Sequence, residues 1–219
     1  MHQKKKKIIC FDFDGTLVDS SVFVHSSLIK TAQDFGHSEI NDNNLEEYFG
    51  PTEIGILKKI LGPEEAIAAS PYFYRIYTEL QDTLLEENTE ITELLHTLKK
   101  NPDIKLVLLT GRSRETLDIS LSYLGYEGIF EKMYTGSEDG NEKGESMEEL
   151  LKDYDVENEE VLYIGDTIAD IEEMRRVEVD IFTAAYFSDE EKLPALKENN
   201  GEHIAYTVKD LKRMIEEVI

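Results

Sequence analysis

One cysteine, Cys10, stands among 219 residues, so no intramolecular disulfide can form. It falls inside an apolar run, away from the exposure and positive surroundings that make a thiol reactive, and is expected to be an inert core residue. Bases are scarce: 23 Lys and Arg stand against 47 Asp and Glu, a formal charge of −24. A surface of that sign is a poor partner for nucleic acid, whose binding works through phosphate neutralisation. The lysines at 4–7 could be read as a nucleic-acid or targeting patch, but a solvated terminus is expected. No apolar run approaches the roughly 20 residues of a membrane helix. The basic start leads straight into a strand, without the apolar run and cleavage site of a signal peptide. No membrane partner is expected, and a cytoplasmic location is the default. The histidines (His2, His25, His37, His96, His203) are scattered, and none has zinc-ligand spacing. No internal repeat or low-complexity segment stands out.

Short apolar runs recur instead, at 8–11, 104–110, 132–135, 160–166, 179–184 and 203–207. Amphipathic stretches lie between most of them. "SRETLDISLSYLG" opens on a serine able to cap and stops at Gly125. Alternating strands and helices imply a parallel sheet covered on both faces. The segment 19–87 breaks the rhythm. It reads as helices near 20–35, 44–48, 52–61 and 72–85, punctuated by Gly50-Pro51 and Gly62-Pro63. "TEITELLHTLKK" already supplies the crossover helix that parallel strands need. The chain is therefore expected to hold an α/β core, 1–18 with 88–219, and an inserted helical unit, 19–87. That unit would stand above the C-terminal end of the first strand, where open parallel sheets bind ligands.

The chemistry concentrates in "IICFDFDGTLVDS". An apolar strand runs into Asp12, and Asp14 follows with no base beside either. Buried like charges this close repel, and a cation or a reaction is needed to justify them. A second pair, Asp166 and Asp170 of "YIGDTIAD", follows a later apolar strand. If both strands lie centrally in one sheet, four carboxylates meet at one edge. Oxygen-only ligands of this kind suit Mg²⁺. "LLTGRS" ends a third strand with Thr110 and Gly111, whose hydroxyl and N–H groups can hold an anionic oxygen at a helix start. Lys143 precedes another helix.

These motifs resemble the haloacid dehalogenase-like (HAD) superfamily over nearly the whole chain, and most closely the capped phosphoglycolate phosphatase and β-phosphoglucomutase group. The resemblance implies a Rossmann-like core with sheet order 5-4-1-2-3. It implies Asp12 as nucleophile and Asp14 as general acid/base. Thr110 and Lys143 would bind the transferring phosphoryl group, with Gly111 beside them. Mg²⁺ would be held by the Asp12 and Asp166 carboxylates and the Asp14 carbonyl, with Asp170 supporting it. Asp14 favours oxygen esters over halides, because a halide leaves without a proton. The expected activity is Mg²⁺-dependent hydrolysis of a small phosphorylated metabolite, phosphoglycolate-like or a sugar phosphate, through an aspartyl phosphate. A β-phosphoglucomutase-type phosphomutase is the alternative. A monomer or homodimer is expected.

Three departures from the family pattern stand out. Gly144 follows the lysine where proline is common. "EENTEI" replaces the usual stretch before the second strand. "TGR" replaces the commoner Thr-Ser/Asn-Lys, and Arg112 is expected to face solvent. In the helical insert, Thr52 and Glu53 could face substrate, while Lys58, Lys59 and Arg75 are expected at the surface.

Overall fold

The structure is a computed structural model and describes residues 5–140 and 143–219. His2 and Lys4 lie outside the described residues. Six parallel strands form one sheet: β1 (Ile8–Phe11), β2 (Lys105–Leu109), β3 (Lys132–Tyr134), β4 (Val161–Gly165), β5 (Asp180–Ala184) and β6 (Ile204–Ala205). Their order is β3-β2-β1-β4-β5-β6, the expected order with β6 added at the outer edge. Period-two alternation splits β1 between two cores. Ile9 and Phe11 join the large cluster on one face, and Ile8 and Cys10 join the second cluster on the other. A strand buried on both faces reads as a continuous apolar run, which is why IICF was legible.

On the first face lie α4 (Thr89–Lys99), α5 (Arg114–Leu124) and α9 (Val208–Glu216). On the second lie α6 (Lys143–Tyr154) and α7 (Ile168–Arg176). A short helix, α8 (Leu193–Asn200), covers the β6 edge through Leu196. The ends of α5 follow the local signals: the Ser113 hydroxyl accepts from Thr116 N, and Gly125 turns left-handed at the C-cap.

Between β1 and α4 the chain forms α1 (Ser21–Asp34), a 3₁₀ turn at Leu45–Tyr48, α2 (Glu53–Leu61) and α3 (Pro63–Leu84). The last differs from the expected start near residue 72. Pro63 opens the helix where its missing N–H is harmless, and the helix continues through Pro71. Pro71 frees the carbonyl of Ile67, and Ile67 is exposed, so water can solvate that group. Packing of α3 along α1, through Ala66, Ala69, Phe73 and Tyr77, holds it straight enough to bury Phe23 against Tyr77 at 5.1 Å between ring centroids.

One terminal lysine overturns its expectation. Lys6 is buried, not solvated. Its ammonium pairs with Asp180 and donates to Val161 O at 2.9 Å, satisfying a charge that burial would otherwise penalise. Among the described residues no helix is long and apolar enough to cross a membrane.

Candidate active site

Adjacent central strands β1 and β4 bring both acidic pairs to one sheet edge. Asp12 N donates to Ile164 O at 2.8 Å, which fixes the first pair beside the end of β4. The chain then reverses tightly, with Leu17 N donating to Phe13 O and Gly15 N to Val18 O. Gly15 has φ +69°, and a Cβ there would stand 2.0 Å from Asp166 Oδ2. Only glycine lets the two acidic loops approach this closely.

Carboxylate oxygens of Asp12, Asp166 and Asp170 lie within 4.8 Å of one another. Lys143 bridges two of them, with Nζ 2.5 Å from Asp12 Oδ2 and 2.6 Å from Asp170 Oδ1. A lysine at the first turn of α6 opposes the helix dipole, and these two anions offset that. Asp170 is fully engaged: Tyr163 OH donates to it at 3.1 Å, and the N–H and hydroxyl of Thr167 at 3.0 and 2.6 Å. It is the inner residue of the α7 capping box.

The electrostatics separate the acids. Burial pushes the Asp12 carboxyl up, and Asp170 and Asp14 add to that. Lys143 opposes them without reversing the shift. Burial also raises Asp166, reinforced by Asp12 and Asp170, and among the described residues no donor or cation touches its carboxylate. Asp170 is also buried, but Lys143 and Thr167 hold it below its ordinary value. Two unit charges at ~4 Å and an effective dielectric of ~20 repel by about 4 kcal/mol. A site with Asp12 and Asp166 both ionised therefore asks for a cation beyond Lys143. An all-oxygen set of this kind fits Mg²⁺.

Asp14 faces the other way within the same cavity. Its carboxylate is forked by Arg112, with Nε at 2.9 and 2.8 Å and Nη2 at 2.5 Å, and Ser20 Oγ donates to it. Burial alone would raise Asp14, but Arg112 and Ser20 hold it below the usual range. Arg112 is thus not solvent-facing; it is 4% exposed. It sits 4.8 Å from the Phe13 ring centroid, with Phe23 and Tyr77 nearby, and donates to Tyr77 OH and, at 3.0 Å, to Ser120 Oγ. A charged residue can be buried only when it is paired and hydrogen-bonded, and the partners come from α1, α3 and α5 as well as from the loop after β1.

The remaining expectations divide. Gly111 lines the cavity, while Thr110 lies beneath it at the end of β2, its N–H given to Tyr134 O and its hydroxyl accepting from Arg112 N at 3.3 Å. Glu53 is a wall residue committed to structure, accepting from Ser113 N at 3.1 Å and Thr116 Oγ1 at 2.6 Å. Lys58, Lys59 and Arg75 lie outside the cavity and bond Glu138, the carbonyls of Tyr48 and Phe49, and Glu79. Gly144 has its own reason: its N–H donates to Glu173 Oε2 at 2.9 Å, which proline could not do.

A family model described as haloacid dehalogenase-like hydrolase matches residues 9–184. The phosphoglycolate phosphatase of Aquifex aeolicus is 30% identical over 173 residues, covering 78% of this chain and 80% of that protein. The pyrophosphatase PpaX of Bacillus cereus is 25% identical over 170 residues, covering 76% and 77%. A haloacid dehalogenase-like hydrolase of Streptococcus pneumoniae superposes with a TM-score of 0.72 at 20% identity, covering 98% of this chain and 99% of that one. The last likeness concerns the fold alone.

Proposed function

Because the chain belongs to the haloacid dehalogenase-like hydrolase family, we propose that it hydrolyses the phosphate monoester of a small metabolite through an aspartyl phosphate on Asp12. The observation that carries this reading is the cluster in which Lys143 bridges Asp12 and Asp170 while Asp166, beside them, has no partner among the described residues. In this reading residues 19–87 form a cap over a core made of 1–18 and 88–219.

A carboxylate oxygen of Asp12 attacks phosphorus as the bond to the leaving alcohol breaks. Lys143 opposes the repulsion between nucleophile and phosphoryl oxygens, with Thr110 and Gly111 on the facing loop. Mg²⁺, held by Asp12, Asp166 and the Asp14 carbonyl, would supply further positive charge to the same oxygens. Asp14 must carry a proton when substrate binds; it passes that proton to the leaving oxygen and, now anionic, later takes one from the water that opens the acyl phosphate. The Arg112 fork favours the anion, the form the second step uses, and opposes the protonated form the first step starts from. Asp170 keeps Lys143 in place and does not touch the reacting atoms.

The phosphomutase alternative requires an anchor for a second phosphate in the cap. Lys30, Lys58, Lys59 and Arg75, the lysines and arginine of 19–87, lie outside the cavity, so hydrolysis is the reading adopted. Asp12→Asn is expected to abolish Mg²⁺-dependent phosphate release from p-nitrophenyl phosphate, by at least about 10³-fold, with an unchanged circular dichroism spectrum. Wild-type turnover in that variant would remove Asp12 as nucleophile.

A further inference from the structure

The cavity over the acids encloses about 950 Å³, ample for a leaving group well beyond the phosphate. Its walls describe what that group is. Two cations line it among the described residues, Arg112 and Lys192. Arg112 is spent on Asp14 and pinned by Tyr77 and Ser120. Lys192 is exposed at the rim and pairs with Asp189 at 3.5 Å. Asp19, Glu53, Asp189 and Glu191 line the same walls. A carboxylate or second phosphate on the leaving group would enter a field of its own sign, with no buried, unpaired cation among the described residues to meet it.

The walls supply other contacts instead. Val22, Ile56 and Phe49 present apolar surface, and the His25 ring stands edge-on to Phe49 at 5.4 Å between centroids. Thr52 also lines the cavity. It is 3% exposed, its hydroxyl oxygen is closed off from solvent, and among the described residues that hydroxyl has no hydrogen-bond partner. An unpaired buried hydroxyl is costly, and rotation of the Thr52 side chain toward the cavity would let a neutral oxygen on a bound alcohol satisfy it.

We propose that this site selects phosphate monoesters of an uncharged alcohol with an apolar face, its oxygen met by Thr52, and discriminates against leaving groups that carry a carboxylate or a second phosphate. This rests on the phosphatase reading and narrows its substrate class. The specificity then differs from the substrates in the names of the Aquifex and Bacillus relatives.

The test uses the full chain with Mg²⁺ and probes matched in size. 2-Phosphoglycolate and 2-hydroxyethyl phosphate share a skeleton and differ in carboxylate against hydroxymethyl. Phenyl phosphate probes the apolar wall, and pyrophosphate the second charge. Phosphate release is expected to give 2-hydroxyethyl phosphate a kcat/KM at least about tenfold above 2-phosphoglycolate, with phenyl phosphate above both and pyrophosphate lowest. Thr52→Val is expected to reduce 2-hydroxyethyl phosphate turnover more than ethyl phosphate turnover, and Thr52→Ser to restore the difference. Equal or better use of 2-phosphoglycolate or pyrophosphate would overturn the proposal while leaving the phosphatase reading intact. Equal losses on the two alkyl esters in Thr52→Val would overturn the role given to Thr52. Phosphate release from none of the compounds would refute the phosphatase reading and the proposal with it.

Discussion

Asp166 concentrates the conflict between stability and chemistry. Its carboxyl is raised by burial and by the neighbouring Asp12, Asp170 and Asp14, so the folded state holds its proton more tightly than the unfolded chain does. For an acid with a raised folded pKa, the folded state loses stability as pH rises from the unfolded value near 4 up through the folded value. Asp166→Asn removes that charge. In EDTA above pH 8 it is expected to raise stability by on the order of 1 kcal/mol, about 2–4 °C in Tm, with the gain shrinking at pH 5. A thermal melt at the two pH values checks this; a variant less stable at both would mean the carboxylate is structurally satisfied. At this scale the acids were legible, because each sits at the end of an apolar run. Arg112 was not. Its partner Asp14 is 98 residues away, and no local pattern tells a buried, paired arginine from a solvated one. Lys6 misled for the same reason, through Asp180.

The helices of 19–87 meet the rest of the chain along α3, where Tyr77 OH lies 2.8 Å from Ser120 Oγ of α5, and at the N-terminus of α2. Thr52 N donates to Ser137 O at 3.0 Å, Lys58 pairs with Glu138, and Glu53 binds the first turn of α5. Glu53, at the start of α2, therefore gives an acceptor to Ser113 N at the start of α5, which would otherwise lack one. Glu53→Ala leaves Ser113 N without its acceptor, while Thr116 Oγ1 falls back on Ser113, and is expected to cost about 1–3 kcal/mol, read as a lower urea midpoint. Faster hydrogen exchange at Ser113–Thr116 would place the loss there; unchanged protection would dissociate Glu53 from the cap of α5. Elements whose own residues write the signal, such as α5 with Ser113 and Gly125, were readable in advance. The start of α3 was not, since a proline inside a helix is tolerated only when a partner helix packs beside it, and that partner is α1.

Over the whole molecule, the charge of −24 opposes any anionic substrate outside the reach of Lys143. Salt shortens that opposition from about 30 Å at 10 mM to about 8 Å at physiological ionic strength. With Mg²⁺ saturating, kcat/KM for a phosphate monoester is expected to rise across that range; a fall would show that the local field of the site governs approach. The order of strands was legible because the chain alternates regularly between runs and helices. β1 stands at the centre of the sheet, and its two neighbours come from 105–109 and 161–165. On the ribosome this ordering means that Asp12 emerges long before the lysine 131 residues away that will neutralise it. The growing polypeptide thus carries an apolar strand without flanks until β2, and then β4, leave the exit tunnel. Until then it is a candidate for chaperone protection, and the centre stays chemically silent until translation has passed α7.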